Sequence, residues 1–260
     1  MSYQLIEKQV YVNEYSICYL EGGIASSSEP ILFLHGWAVG TKPYQEILNV
    51  LCQRYQVIAP DLPGFGKSSG SKLNWDYDDY AKCLIDFLNT LNIKKVHLIG
   101  HSLGGGISVT LAASMPFLVK SVILVDSTGI PVDPIPKVLL QRAIEMSAQT
   151  VQIRFPQIIQ VFQGFSYNLF FNTQNTIQAL LLSLKKDLKP LLPKIESPCL
   201  IVWGANDLTT PLIAAQEFSQ RIKGSSLVVV DGVYHEWILF FVEKITSIIF
   251  DFINEIEASK

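Results

Sequence analysis

Gly100-His101-Ser102-Leu103-Gly104 sets a serine between glycines two places before and two places after it. A short apolar run, 96–99, leads into these residues, and a run with helical spacing, 103–115, leads out. A strand that turns at once into a helix bends tightly, and the residue at the apex takes a strained backbone. Small residues on either side let neighbouring backbone come close. The serine oxygen is then lifted out of the sheet beside a helix N-terminus, where developing negative charge is favoured. At its ordinary pKa a serine is a poor nucleophile. It needs a base, and the base needs an orienting acid.

Four histidines compete for the base: His35, His97, His101 and His235. His97 falls inside an apolar run and reads as a core residue. His101 adjoins the serine, but its side chain leaves the bend in another direction. His235 follows the last apolar run, 227–230, in a loop, and is the last of the four in the chain. We take it as the base. The acid should end a strand between the serine and the base. Asp207 does so, within Gly204-Ala205-Asn206-Asp207-Leu208-Thr209-Thr210-Pro211, and so does Asp126, after the run 122–125. Asp207 is preferred, and Asp126 is otherwise a capping or turn residue. Asp231 and Glu236 lie too near His235 in sequence to bond it across a site.

An oxyanion hole needs two N–H donors aimed at one point. The N–H of Leu103, just after the serine, is one candidate. The N–H of Trp37 is the other, in His35-Gly36-Trp37, which follows the run 31–34. His35 itself suits structural hydrogen bonding better than proton transfer. It is grouped with Phe162 and Phe165 as a candidate substrate contact.

These residues need a scaffold that brings loops to one end of a sheet. The runs 3–12, 16–20, 31–34, 56–59, 96–99, 122–125, 199–203 and 227–230 read as strands. Most are continuously apolar, which fits strands buried on both faces. Helical spacing appears over 77–91, 103–115, 212–222 and 238–256. The alternation predicts an α/β fold: a mostly parallel central sheet of about eight strands with helices on both faces. One stretch departs from it. Residues 131–197 open with Pro131, Pro134 and Pro136, close on Pro190, Pro193 and the adjoining Pro198, and hold helical patterns at 138–148 and 177–184. This predicts a helical cap inserted into a core made of residues 1–130 and 198–260. No charged residue occurs between Phe155 and Leu184, where Phe155, Phe162, Phe165, Tyr167, Phe170 and Phe171 alternate with Gln and Asn. A roof of that composition suits an apolar small-molecule substrate with a few hydrogen-bonding atoms.

The 260 residues are 49% hydrophobic and 17% charged, with a net charge of −3, which excludes disorder for the bulk of the chain. No basic run stands out, so no nucleic-acid partner is expected. Cys18, Cys52, Cys83 and Cys199 show no paired spacing and read as small core residues of a reducing compartment. The N-terminus has no basic run before an apolar stretch, and no window of about 20 apolar residues occurs. A cytoplasmic protein without an integral membrane segment is the expectation. Oligomeric state is not written in these features.

Taken together, the motifs resemble those of the α/β-hydrolase family nearly end to end. Leu34-His35-Gly36-Trp37 resembles its oxyanion segment. The stretch from Asp61 to Ser68 resembles its D-x-x-G-x-G-x-S loop, and Trp203-Gly204 through Asp207 to Pro211 its acid loop. His235 stands where the catalytic histidine is expected, although Tyr234 replaces the glycine that usually precedes it. A serine at the elbow, where family epoxide hydrolases and dehalogenases carry aspartate, argues against those activities. Asp61 is expected to hold its loop by local hydrogen bonds. The resemblance implies hydrolysis of a small ester through an acyl-enzyme, with no metal and no cofactor. Relatives with the same triad cleave carbon–carbon bonds, hydrolyse thioesters or act as lyases, and some keep the triad as ligand receptors.

Overall fold

Branched aliphatic runs pair into one sheet in the computed structural model, which describes residues 4–24, 29–70, 74–149 and 155–258. The strands are β1 (Ile6–Val12), β2 (Tyr15–Gly22), β3 (Ile31–Leu34), β4 (Val57–Pro60), β5 (Val96–His101), β6 (Val119–Val125), β7 (Cys199–Gly204) and β8 (Ser226–Val230). They lie in the order β1-β2-β4-β3-β5-β6-β7-β8. β2 is antiparallel to both β1 and β4, and every pairing from β4 to β8 is parallel. Residue 3, where the first strand was expected to begin, lies outside the described residues.

Every residue of β3, β4, β5 and β7 is buried, so both faces of the sheet must be covered. The helices are α1 (Gln45–Leu51), α2 (Tyr77–Thr90), α3 (Leu103–Ser114), α4 (Ile135–Gln149), α5 (Phe155–Phe171), α6 (Thr173–Lys185), α7 (Leu212–Arg221) and α8 (Val242–Ala258). Alternation along each strand sorts the core into two layers. Leu32, Leu34, Leu98, Leu124 and Trp203 pack with α2, α3 and α7. Ile31, Phe33, Ile99, Val125 and Val202 pack with α1 and α8. The sequence pattern does not single out α1, and the last helix begins at Val242, after a 3₁₀ turn over Trp237–Leu239. All four cysteines are buried and free of disulfides. Among the described residues no helix is long and apolar enough to cross a membrane.

β3 lies between β4 and β5, so the chain leaves it toward one side for β4 and then crosses to the other for β5. At such a reversal the loops beyond the carboxyl ends diverge and leave a crevice. Leu34 pairs with Gly100, so the turn after β3 and the turn after β5 meet there. The segment between β6 and β7 carries α4, α5 and α6. It is tied to the turn after β3: Trp37 Nε1 donates to the Thr176 carbonyl at 2.7 Å, and Asn168 Nδ2 donates to the Ala38 carbonyl at 3.0 Å.

α3 runs tightly against β3, and the elbow glycines permit it. A Cβ on Gly104 would collide with the Leu34 carbonyl oxygen, and one on Gly100 with Ser108 Oγ and the Gly104 carbonyl. Backbone on the other side of the contact cannot yield as a flexible side chain would. Gly104→Ala should therefore lower the unfolding free energy by about 1–3 kcal/mol, the usual range for overpacking. Urea denaturation checks this. An unchanged midpoint and slope would show that α3 can draw back from β3 without loss.

Candidate active site

Ser102 sits between β5 and α3 with φ 53° and ψ −116°. Its surroundings hold it there. The N–H donates to the Val125 carbonyl at 3.0 Å, and the carbonyl accepts from the N–H groups of Gly105, Gly106 and Thr128 at 2.9, 3.2 and 3.1 Å. Thr128 Oγ1 donates to the same carbonyl at 3.1 Å.

The side chain meets a histidine and, beyond it, an acid. Ser102 Oγ lies 2.9 Å from His235 Nε2, and His235 Nδ1 lies 2.7 Å from Asp207 Oδ2. The carboxylate on Nδ1 fixes the proton there, which leaves Nε2 unprotonated and able to accept the serine O–H. Thr210 steadies the acid: its N–H donates to Asp207 Oδ1 at 2.7 Å and its hydroxyl to Oδ2 at 2.6 Å. Ser102 is 7% exposed, Asp207 3% and His235 2%, so the chain acts away from bulk water. Burial alone would push the His235 pKa down, but the charge and hydrogen bond of Asp207 outweigh it and raise the pKa above its ordinary value.

The His235 backbone is held at both polar groups. His101 Nε2 donates to the His235 carbonyl at 3.1 Å. That leaves His101 Nδ1 to accept from Tyr44 Oη at 2.6 Å, and Tyr44 Oη accepts from the Gly36 N–H at 3.0 Å. Burial and the neighbouring His235 drive the His101 pKa to about 3, so this ring stays neutral. On the other side, the His235 N–H donates to Glu145 Oε1 at 2.8 Å. Glu145 and Arg142 both come from α4, and Arg142 forms an ion pair with Glu236. Burial would raise the Glu236 pKa, yet Arg142 holds it at about 2.

Sequence reasoning does not reach Arg142 and Glu145. Their one signal is a charged residue on a buried helix stripe, since Val138, Glu145 and Gln149 form the buried face of α4.

Asp126, the other acid candidate, does not bond the imidazole. Its Oδ1 accepts from the Gly204 N–H at 2.8 Å and its Oδ2 from Trp237 Nε1 at 2.7 Å. It is fully buried and holds a positive φ of 45°. Burial and the nearby Asp207 raise its pKa well above the carboxylate range. Donor atoms of Asp126, Asp207 and His235 lie within 4.8 Å of one another, the one set among the described residues that could hold a cation. His235 Nδ1 is turned to Asp207 with a proton between them, so it offers a metal no lone pair.

The remaining expected site residues are placed as follows. Leu103 opens α3 and Trp37 begins the turn after β3, the two positions whose N–H groups were singled out for the oxyanion. His35 is fully buried with both nitrogens taken: Nδ1 donates to the Gly36 carbonyl at 2.7 Å and Nε2 accepts the Leu62 N–H at 2.9 Å. No ring nitrogen of His35 is left for a ligand. Phe165 packs edge-on against Trp37, with centroids 5.7 Å apart. Phe162 is 67% exposed and faces outward. Phe170 and Phe171 are also exposed, and the side chain of Phe155 lies outside the described ones. Asn168 and Asn175 reach core loops rather than open space, Asn168 Oδ1 accepting from the Gly66 N–H at 2.9 Å and Asn175 Nδ2 donating to the Gly70 carbonyl. Asp61 holds its loop, accepting from the N–H and hydroxyl of Thr41, each at 2.8 Å, and from the Lys67 N–H at 2.9 Å.

Residues 29–177 match the protein family described as the α/β hydrolase fold. An uncharacterized protein of Mycobacterium tuberculosis is 38% identical over 110 residues, 42% of this chain, and the match spans about a third, 32%, of that relative's length. The 2-hydroxy-6-oxo-6-phenylhexa-2,4-dienoate hydrolase of Burkholderia cepacia is 28% identical over 214 residues, covering 72% of this chain and 74% of its own. The crystal structure of a candidate lipase from Acinetobacter baumannii AYE superposes with a TM-score of 0.83 at 26% identity, covering 98% of this chain and 93% of that one.

Two measurements test the arrangement, both reading the rate at which a fluorophosphonate labels Ser102. Asp207→Asn should slow labelling by roughly 10⁴-fold through loss of the histidine tautomer, whereas Asp126→Asn should cost far less. Reversed losses would assign the acid to β6. Labelling needs neutral His235, so its rate should rise with pH, with a midpoint above the ordinary histidine value of about 6.5. A rate flat between pH 5 and 8 would remove His235 as the base.

Proposed function

This chain belongs to the α/β-hydrolase family, and we propose that within it the protein is a serine hydrolase of small carboxylic esters, with residues 131–197 as its cap. The observation that carries the reading is the continuous path from Ser102 Oγ to His235 Nε2 at 2.9 Å and from His235 Nδ1 to Asp207 at 2.7 Å.

In this mechanism His235 Nε2 takes the Ser102 proton as Oγ bonds to the ester carbonyl carbon. The carbonyl oxygen becomes an oxyanion held by the N–H groups of Trp37 and Leu103. Collapse breaks the ester C–O bond, and His235 returns its proton to the leaving alkoxide. Water then attacks the acyl-enzyme by the same route and frees Ser102. No step calls for a metal or a cofactor.

The electrostatics favour an uncharged acyl group. A buried charge on the substrate needs a partner. Arg142, a half-buried cation beside this site, is already engaged by Glu236 and lies 3.6 Å from Glu145. The ring of Phe165 and the indole of Trp37 add apolar surface next to one proposed oxyanion donor. Carbon–carbon bond cleavage is the second reading, favoured by the name of the Burkholderia relative. That name describes a carboxylate substrate, for which the engaged Arg142 gives poor provision.

Ser102→Ala should abolish fluorophosphonate labelling and lower ester turnover by roughly 10³ to 10⁶. Near-normal turnover by a folded Ser102→Ala protein would end the proposal. On p-nitrophenyl esters from acetate to decanoate, kcat/KM should climb by up to about 0.8 kcal/mol per added methylene until the pocket is full. A clear preference for an ester bearing a free carboxylate would instead point to a small-acid enzyme.

A further inference from the structure

His235 lies between β8 and the 3₁₀ turn over Trp237–Leu239, and no strand ladder fixes it. The base of a triad nevertheless has to stay within hydrogen-bond reach of the serine. From the core, His101 holds its carbonyl. Its N–H is held by Glu145, ninety residues earlier in the chain, on α4.

Glu145 does more than meet one donor. Its Oε1 also accepts the Leu208 N–H at 3.3 Å, and its Oε2 accepts the Thr209 hydroxyl at 2.5 Å. Leu208 and Thr209 directly follow Asp207. A single carboxylate therefore grips both the loop that bears the acid and the loop that bears the base. Arg142, one turn earlier, repeats the pattern: it pairs with Glu236, next to His235, and donates to Thr209 Oγ1 at 3.3 Å. Glu145 is fully buried, and a carboxylate in that position is costly unless its lone pairs are met. Apolar packing could attach a helix to a core at no such penalty. What an apolar side chain cannot do is accept a backbone N–H.

We propose that Glu145 is a positioning residue: by accepting the His235 N–H together with donors from the Asp207 loop, it makes correct placement of the base depend on α4 being seated. This rests on the reading of Ser102, His235 and Asp207 as a catalytic triad. Glu145 itself touches no reacting atom. Its effect is carried by the 2.9 Å approach of His235 Nε2 to Ser102 Oγ.

Three substitutions separate this role from simple attachment of the helix. Glu145→Gln keeps an oxygen where Oε1 accepts the two N–H groups, but removes the charge. Glu145→Asp keeps the charge and withdraws the acceptor by one methylene. Glu145→Ala removes both. The readouts are kcat and KM on p-nitrophenyl butyrate, the rate of fluorophosphonate labelling of Ser102, and thermal unfolding as a check on folding. Misplacing a catalytic group by about 1 Å can cost about 10²-fold in rate. The expected result is a loss of that order in kcat and in labelling rate for Asp and Ala, little change in KM, and recovery of most of the loss in Gln. If Ala fails to fold, the order Gln above Asp carries the test alone. Folded Asp and Gln variants with wild-type kcat and labelling rates would overturn the proposal, as would the opposite order, with Asp active and Gln impaired. A wild-type protein whose Ser102 does not label would overturn the triad reading and this one with it. A labelled wild type with unaffected Glu145 variants overturns this one only.

Discussion

Ser102 occupies φ 53° and ψ −116°, a state that costs a residue with a Cβ about 1–3 kcal/mol and persists only where the surroundings leave no alternative. Here the carbonyl of the strained residue receives four donors, from Gly105, Gly106 and both the N–H and hydroxyl of Thr128. Tyr77 Oη donates in turn to Thr128 Oγ1 at 2.8 Å, which ties α2 to the elbow. Gly104 lets α3 close on the Leu34 carbonyl. Relaxing this one residue toward ordinary helical or extended backbone would turn Oγ away from His235 and open the contact between β3 and α3 together. The geometry of the site and the packing of the central sheet are thus two results of one conformational constraint.

The electrostatic arrangement follows a second rule, that buried charges here are met by donors or by opposite charge. Burial and the nearby Asp207 raise the Asp126 pKa, and both Asp126 oxygens are met by donors, the Gly204 N–H and Trp237 Nε1. Asp207 faces the imidazole. Arg142 stands between Glu236 and Glu145, within ion-pair distance of both. What remains near the serine is an imidazole lone pair turned to its hydroxyl, and little free charge.

Much of this was legible from residue order alone, for identifiable reasons. Burial on both faces leaves uninterrupted aliphatic runs such as 31–34 and 199–203, which is why the eight strands could be read before pairing was known. The elbow was legible because sterics admit only small residues at 100 and 104. Asp126, Asp207 and His235 come to notice because each follows an apolar run, a signal that does not by itself choose between the two acids. α4 was not legible in the same way. Its bulky apolar residues Leu139, Leu140, Ile144 and Met146 are exposed, while Val138, Glu145 and Gln149 are buried, the reverse of what hydrophobic spacing implies. Two amides of the uncharged stretch serve the fold for a related reason. Asn168 and Asn175 have the chemistry of ligand-binding groups, but backbone groups of core loops take up their hydrogen bonds. A helix buried for the sake of its polar contacts has no distinctive period.

The placement of α4, α5 and α6 between β6 and β7 bears on how such a chain can diversify. The two strands are parallel neighbours, with Val125 level with Val202, so the intervening helices belong to a crossover that leaves the carboxyl end of β6 and returns to the amino end of β7. A foreign set of helices could be spliced in there without shifting the register of any strand. The splice carries one obligation, because the incoming helix must present an oxygen acceptor where Glu145 reaches the His235 N–H. Exchange of this crossover is therefore modular in backbone but not in chemistry. Under the proposed function, substitutions on α4 that change which molecules reach Ser102 fall on the same few turns that carry Glu145, so recognition and alignment of the imidazole are inherited together.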